Sequence, residues 1–141
     1  MLIILEGPDG AGKSTIARRL ARILNAKIIH CTKDTPNDAE YFYRILSAAD
    51  HQNIIADRFC YGQFVYQSEK ERKLTKAELY RLETEFLNHG AKVIYVTAQE
   101  KTIQDRLNKR NETPMYPVKE LLERFDTLMK ESTLQIEVWR T

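Results

Sequence analysis

The sequence is poor in everything that marks a secreted, membrane-spanning or nucleic-acid-coating chain. It holds two cysteines in 141 residues, Cys31 and Cys60. Two thiols without metal-ligand spacing make neither a disulfide scaffold nor a zinc site, and they suit a reduced, cytoplasmic setting. The N-terminus has no basic segment, and the apolar run Leu2 to Leu5 ends at Glu6, so no signal peptide is expected. No apolar run approaches membrane-spanning length. The formal net charge is only +2, too slight a bias to predict a nucleic-acid or membrane partner. Neither internal repeats nor low-complexity tracts occur. What remains, 43% hydrophobic and 30% charged residues, is the make-up of an ordinary globular chain. Its length predicts one domain over residues 1–141 with a real core.

Against that plain background residues 2–15 stand out: Leu-Ile-Ile-Leu-Glu-Gly-Pro-Asp-Gly-Ala-Gly-Lys-Ser-Thr. Gly7 to Ser14 fit G-x-x-x-x-G-K-[ST], the phosphate-binding loop, between an apolar strand pattern and an amphipathic helix pattern. Glycines let the backbone turn tightly, so successive N–H groups point at one anion, and the helix N-terminus adds a positive dipole end. Gly7, Asp9, Gly10, Ala11, Gly12, Lys13, Ser14 and Thr15 are therefore the candidate ATP-binding segment. Lys13 would reach the β- and γ-phosphates, and the Ser14 hydroxyl would hold Mg²⁺.

Hydrophobic periodicity organises the rest. A helix is expected from about Lys13 to Leu24, with Ile16, Leu20 and Leu24 on one stripe and Arg18, Arg19 and Arg22 in solvent. A strand covers about Ala26 to Cys31. Thr35 reads as an N-cap with Pro36 at the first helical position, starting a helix that runs to about Ala49. A short strand, Asn53 to Asp57, ends in Asp57-Arg58-Phe59. The aromatic stretch from Cys60 to Gln67 starts a helix, and the charged residues 68–73 form a solvated connection. Thr75 and Glu78 have capping-box spacing, flanked by Leu74 and Leu79 as a hydrophobic staple. Gly90 closes that helix, and a strand follows from Lys92 to Thr97. A helix from about Gln99 to Arg110 precedes a loop, a further helix opened by Pro117, and an edge strand in which Leu134, Ile136 and Val138 alternate with polar residues.

Strands thus alternate with helices, which predicts an α/β fold: an open five-stranded parallel sheet with helices on both faces, joined by right-handed crossovers. In such sheets ligands bind beyond the carboxyl ends of the strands. Three polar clusters fall there: Glu6 to Ser14, Cys31 to Asp34, and Asp57 to Phe59. Asp57 by itself would read as a turn or capping aspartate; beside a phosphate loop it is a candidate Mg²⁺ partner of Ser14. Arg58 can grip a phosphate with both guanidinium nitrogens. Arg106 and Arg110, one helical turn apart and followed by a Pro-containing loop, suit a short lid at about residues 106–117 that neutralises charge on the moving phosphoryl group. Lys13, Arg58, Arg106 and Arg110 are the catalytic candidates.

The phosphate loop with its flanks, Asp57-Arg58-Phe59 with Gln63, Val65, Tyr66 and Gln67, and Ile103-x-x-Arg106-x-x-x-Arg110 together resemble the thymidylate kinases, members of the P-loop kinase fold. The resemblance implies transfer of a phosphoryl group from ATP, with Mg²⁺, to a deoxypyrimidine nucleoside monophosphate. It implies Asp9 near the acceptor sugar and phosphate, Arg58 on the acceptor phosphate, Gln63 at the base edge and Tyr66 against the sugar. It implies base stacking by Phe42 or Tyr41 with a polar contact from Arg44, although Phe42 also fits the core stripe of its helix. Family members are often homodimers. The family's Arg-Glu-Pro-Gly after the second strand is replaced by Lys33-Asp34-Thr35-Pro36, so Lys33 and Asp34 join the acceptor candidates. The lid is short, and the family's C-terminal helix and adenine-side loop have no counterpart in the sequence.

A nucleoside kinase is the alternative; it must deprotonate a hydroxyl and would need Asp34 as base. A kinase for a hydroxyl on a polynucleotide or modified base is disfavoured by the weak net charge. A switch GTPase should carry Asn-Lys-x-Asp, but Asn108-Lys109-Arg110-Asn111 lacks the aspartate.

Overall fold

Four of the five runs read as strands pair where expected in the computed structural model, which describes residues 1–141, and the fifth strand starts late. The elements run β1 (Leu2–Glu6), α1 (Lys13–Leu24), β2 (Lys27–His30), α2 (Ala39–Ala48), β3 (Ile54–Asp57), α3 (Gln63–Tyr66), α4 (Lys76–Asn88), β4 (Lys92–Thr97), α5 (Glu100–Lys109), α6 (Val118–Lys130) and β5 (Glu137–Arg140). The five strands form one sheet in the order β2-β3-β1-β4-β5. All four pairings are parallel. β1 is the central strand, and β3 and β4 flank it, so the loop after β1 opens where the chain's path reverses direction across the sheet. That is the place where parallel α/β sheets bind ligands.

The two faces of the sheet sort the strand residues by period two. Ile3, Leu5, Ile55, Ile94 and Val96 pack toward α1, with Ala17 from that helix and half-buried Trp139 from β5. Leu2, Ile4, Ile54, Ala56, Val93 and Tyr95 pack the other way, against α2, α4 and α6 through Phe42, Leu46, Leu82, Phe86, Leu121 and Phe125. Each fully buried aliphatic side chain of this kind contributes about 1.5–3 kcal/mol relative to exposure. All five residues of β1 are buried, Glu6 among them. The core therefore clamps the strand from which the phosphate loop emerges.

Local signals set most boundaries. Asn25 ends α1 in a left-handed conformation, φ 49°. The Thr75–Glu78 capping box forms in both directions, and Leu74 and Leu79 are buried beside it. Arg18, Arg19 and Arg22 are exposed as expected.

Two expectations need correction. Helix α2 begins after Asp38, whose side chain accepts the Tyr41 N–H at 2.9 Å. Thr35 instead closes a turn, accepting the Thr32 N–H at 2.9 Å. Asn37 adopts φ 53°, and a left-handed residue cannot lie inside a right-handed helix. The last strand also starts later than the alternation suggests. Leu134 and Ile136 pack against the larger core before pairing begins, and within β5 Trp139 turns inward while Val138 is 41% exposed.

Candidate active site

The phosphate loop is held by the strands beneath it. A side chain at Gly7, φ 150°, would put its Cβ 2.0 Å from the Val96 carbonyl oxygen, so only glycine lets the loop pass over β4. Gly12, φ 98°, precedes the first residue of α1. Lys13 lies almost wholly buried within the loop, donating to the carbonyl oxygens of Gly7 at 2.6 Å and Pro8 at 2.9 Å. Burial lowers its ammonium to about 8, partly offset by Asp57 and Glu6, while Arg110 pushes it further down. The lysine thus sits in a low-dielectric cradle that gains most when an anion enters. Ala11 is buried, whereas Thr15 is exposed in the first turn of α1.

Ser14 and Asp57 meet beside the loop. The serine hydroxyl donates to Asp57 Oδ2 at 2.8 Å, and His30 Nδ1 lies 3.4 Å from the same oxygen. Asp57 Oδ1 is buried without a partner. A hydroxyl and a carboxylate with a free buried oxygen are the hard oxygen donors that Mg²⁺ prefers, so these two residues fit the ion.

Arg58 follows at φ 71°, a left-handed conformation that costs a residue other than glycine on the order of 1–2 kcal/mol. Its N–H donates to Leu5 O at 3.0 Å. The guanidinium pairs with Asp9 and lies 5.4 Å from the centre of the Tyr66 ring. Beneath this turn Glu6 is completely buried. Its Oε2 accepts the N–H groups of Phe59 at 3.2 Å and Tyr61 at 2.8 Å. Burial raises its carboxyl above the ordinary range, opposed by those two N–H groups and by Lys13 and Arg58.

A cavity of about 550 Å³ opens beside Arg58. Asp9, Lys33, Arg58, Gln63 and Tyr66 line it, all acceptor candidates, and Thr113, Pro114 and Met115 of the expected lid form another part of its wall. Three of the expected acceptor residues lie elsewhere. Phe42 is fully buried and packs edge-on against Phe59, in the core behind the cavity. Arg44 and Asp34 are exposed and do not line it. Gln63 is present, but its amide is engaged by backbone. Its oxygen accepts the N–H groups of Lys73 and Leu74, each at 3.0 Å, and its nitrogen donates to Asn37 O at 3.2 Å. It staples three connections together instead of presenting a free base-reading edge.

The two lid arginines differ. Arg106 Nη1 donates to Gly10 O at 3.0 Å and to Thr141 Oγ1 at 2.9 Å, and that hydroxyl donates in turn to Ala11 O at 2.8 Å. Arg110 is half-exposed, 3.7 Å from Glu112. His30 and Thr141 are residues beside the site that the sequence did not single out, and Glu6 stood there only as one end of a polar cluster. Parallel register sets His30 opposite Asp57, a pairing that no single segment announces. Cys31 and Cys60 are free and buried, and burial pushes the Cys31 thiol up to about 12, away from nucleophilic use.

A phosphate loop on the central strand of a parallel sheet, with helices on both faces, gives the chain the P-loop kinase fold. Comparison gives the family. SPbeta prophage-derived uncharacterized protein YorR of Bacillus subtilis (strain 168) is 30% identical over 146 residues, covering 99% of this chain and 88% of YorR. The chain belongs to the YorR family. The crystal structure of YorR in complex with phosphorylated GDP superposes with a TM-score of 0.82 at 31% identity, over 99% of this chain and 85% of that one. Deoxyadenosine kinase from M. mycoides with bound dCTP has a TM-score of 0.61 at 20% identity, over 100% and 89% of the two chains. Thymidylate kinase from Candida albicans has 0.58 at 18%, over 99% and 82%. At those identities the likeness concerns the fold. Residues 2–59 also match the family model for the AAA domain (dynein-related subfamily), which spans the phosphate loop and reaches the Asp57-Arg58-Phe59 turn.

Proposed function

We propose that the protein is an ATP- and Mg²⁺-dependent kinase whose acceptor is a nucleoside monophosphate, a deoxypyrimidine monophosphate of the thymidylate type being the acceptor that the sequence resemblance favours. The observation that carries this reading is the cavity wall. It offers Arg58 and Lys33 to an acceptor phosphate, and both of its carboxylates are already engaged, Asp9 with Arg58 and Glu71 with Ser68. A phosphate oxygen is ionised near neutral pH and needs no base, whereas a nucleoside hydroxyl does. The nucleoside alternative requires Asp34, which lies exposed outside the cavity.

In this reading the loop N–H groups and Lys13 bind the β- and γ-phosphates of ATP. Mg²⁺, held through Ser14 and Asp57, would screen the phosphate charges. Arg58 orients the acceptor phosphate, one of whose oxygens attacks the γ-phosphorus in line. The bond from that phosphorus to the bridging oxygen breaks, and ADP leaves. Arg106 and Arg110 stabilise charge on the three oxygens of the moving group. The 113–115 segment closes over the pair and excludes water.

A guanine nucleotide is the second reading, favoured by the complex of YorR with phosphorylated GDP. Gln63 no longer supports pyrimidine recognition, since its amide is occupied. The test is ADP formation with dTMP, dUMP, dCMP, GMP, GDP, thymidine and deoxycytidine as acceptors. Turnover with dTMP above the others supports the first reading, and turnover with GMP or GDP supports the second. Turnover confined to nucleosides rejects both.

A further inference from the structure

We propose that Glu6 is a positioning residue for Arg58. Its buried carboxylate holds the Asp57-Arg58-Phe59 turn in the left-handed bend from which the guanidinium reaches the acceptor cavity. The inference rests on the reading of Arg58 as an acceptor-phosphate ligand and extends it to a residue that touches no substrate.

Three N–H groups from residues 58–61 converge on the end of β1. Arg58 donates to Leu5 O at 3.0 Å, and Phe59 and Tyr61 donate to Glu6 Oε2 at 3.2 and 2.8 Å. The carboxylate therefore fills a backbone nest of the kind that usually binds an anionic ligand. Arg58, at φ 71°, lies just before the first of the two captured N–H groups. Without that acceptor only the Leu5 bond and the Asp9 pair would hold its conformation, and the turn would relax toward ordinary backbone. The far side of the turn is anchored as well. The Tyr61 hydroxyl donates at 2.7 Å to Glu83, a fully buried carboxylate that also accepts from Thr133 N at 3.0 Å.

A purely structural role explains less. The centre of a parallel sheet favours apolar residues, and a buried carboxylate there is retained at a cost. Glu6 Oε1 has no partner at all. A Cβ built on Gly62, which lines the cavity, would lie 4.0 Å from it. Glu6 thus lies directly under the cavity floor, one layer from the acceptor.

The experiment compares wild type, Glu6→Gln and Glu6→Ala by hydrogen exchange at the Phe59 and Tyr61 amides and by calorimetric affinity for dTMP and for ATP. Glu6→Ala is expected to speed exchange at both amides and to weaken dTMP binding, each about tenfold, with a smaller loss of ATP affinity and with protection of Ile4 unchanged. Glu6→Gln keeps an accepting oxygen and is expected to retain both properties. Where Glu6→Ala fails to fold, Glu6→Asp replaces it, keeping the charge and shortening the reach. Unchanged exchange at both amides overturns the proposal. So does an equal loss of dTMP and ATP affinity, or a Glu6→Gln variant as impaired as Glu6→Ala. If wild type binds no dTMP, the deoxypyrimidine reading fails by itself, and the amide exchange alone decides whether Glu6 holds the turn.

Discussion

The hydroxyl of Ser14 lies 2.8 Å from the carboxylate of Asp57, although 43 residues separate them in the chain. Helix α1 supplies one partner from its first turn and β3 the other from its last residue. Parallel pairing of β1 and β3, with Leu5 opposite Asp57, fixes the meeting. The free Oδ1 of Asp57 completes an oxygen pair suited to Mg²⁺.

Asp57→Asn keeps the volume and removes the charge. The Mg²⁺ concentration for half-maximal ADP formation should rise by about 10–100-fold. A Mg²⁺ titration of wild type and variant measures this. An unchanged midpoint would remove Asp57 from the metal site.

Lys13→Ala should lower turnover by about 10²-fold or more, since it removes the charged donor proposed for the transferred phosphate. The fold should survive, because the lysine bonds only to loop carbonyls. Initial rates together with a thermal melt separate the two effects. Full activity in a folded variant would refute the phosphate-loop mechanism.

Gln63→Ala should act on stability before specificity. It leaves the N–H groups of Lys73 and Leu74 without their acceptor, and the buried one, at Leu74, costs about 1–3 kcal/mol when unsatisfied. The melting temperature should fall, and exchange at those two amides should quicken. A changed base preference with an unchanged melt would restore the base-reading role.

Glu6 gives stability a pH dependence of known sign. Its carboxyl is raised above 4.5 by burial, so between that value and its folded one the native state holds a proton that the unfolded chain has lost. Its contribution is fully present below about pH 4.5 and is lost as pH rises through the folded value. Glu6→Gln mimics the protonated form. Relative to wild type it should be about equally stable near pH 4 and more stable at neutral pH. Urea unfolding across that range checks this, and a constant difference would contradict it.

The sequence by itself determined the α/β alternation and the phosphate loop, and it gathered the donor candidates at that loop, because these depend on local pattern. Apolar runs of period two or 3.6, glycines where the backbone must bend sharply, and a capping box at Thr75 and Glu78 act over a few residues each. Asp57 and Arg58 were legible for the same reason, lying at the end of an apolar run. The arrangement of the acceptor candidates was decided by tertiary structure. Whether Gln63 reads a base or ties down backbone depends on Lys73 and Leu74, ten and eleven residues away, reaching its oxygen. Phe42 fitted both base stacking and the core stripe of its helix, and packing against Phe59 put it in the core. Glu6 looked like the end of a strand, and only the convergence of Phe59 and Tyr61 upon it gave the carboxylate a place in the site. The physical reason is common to all three: a polar or aromatic side chain has several possible partners, and long-range packing selects among them.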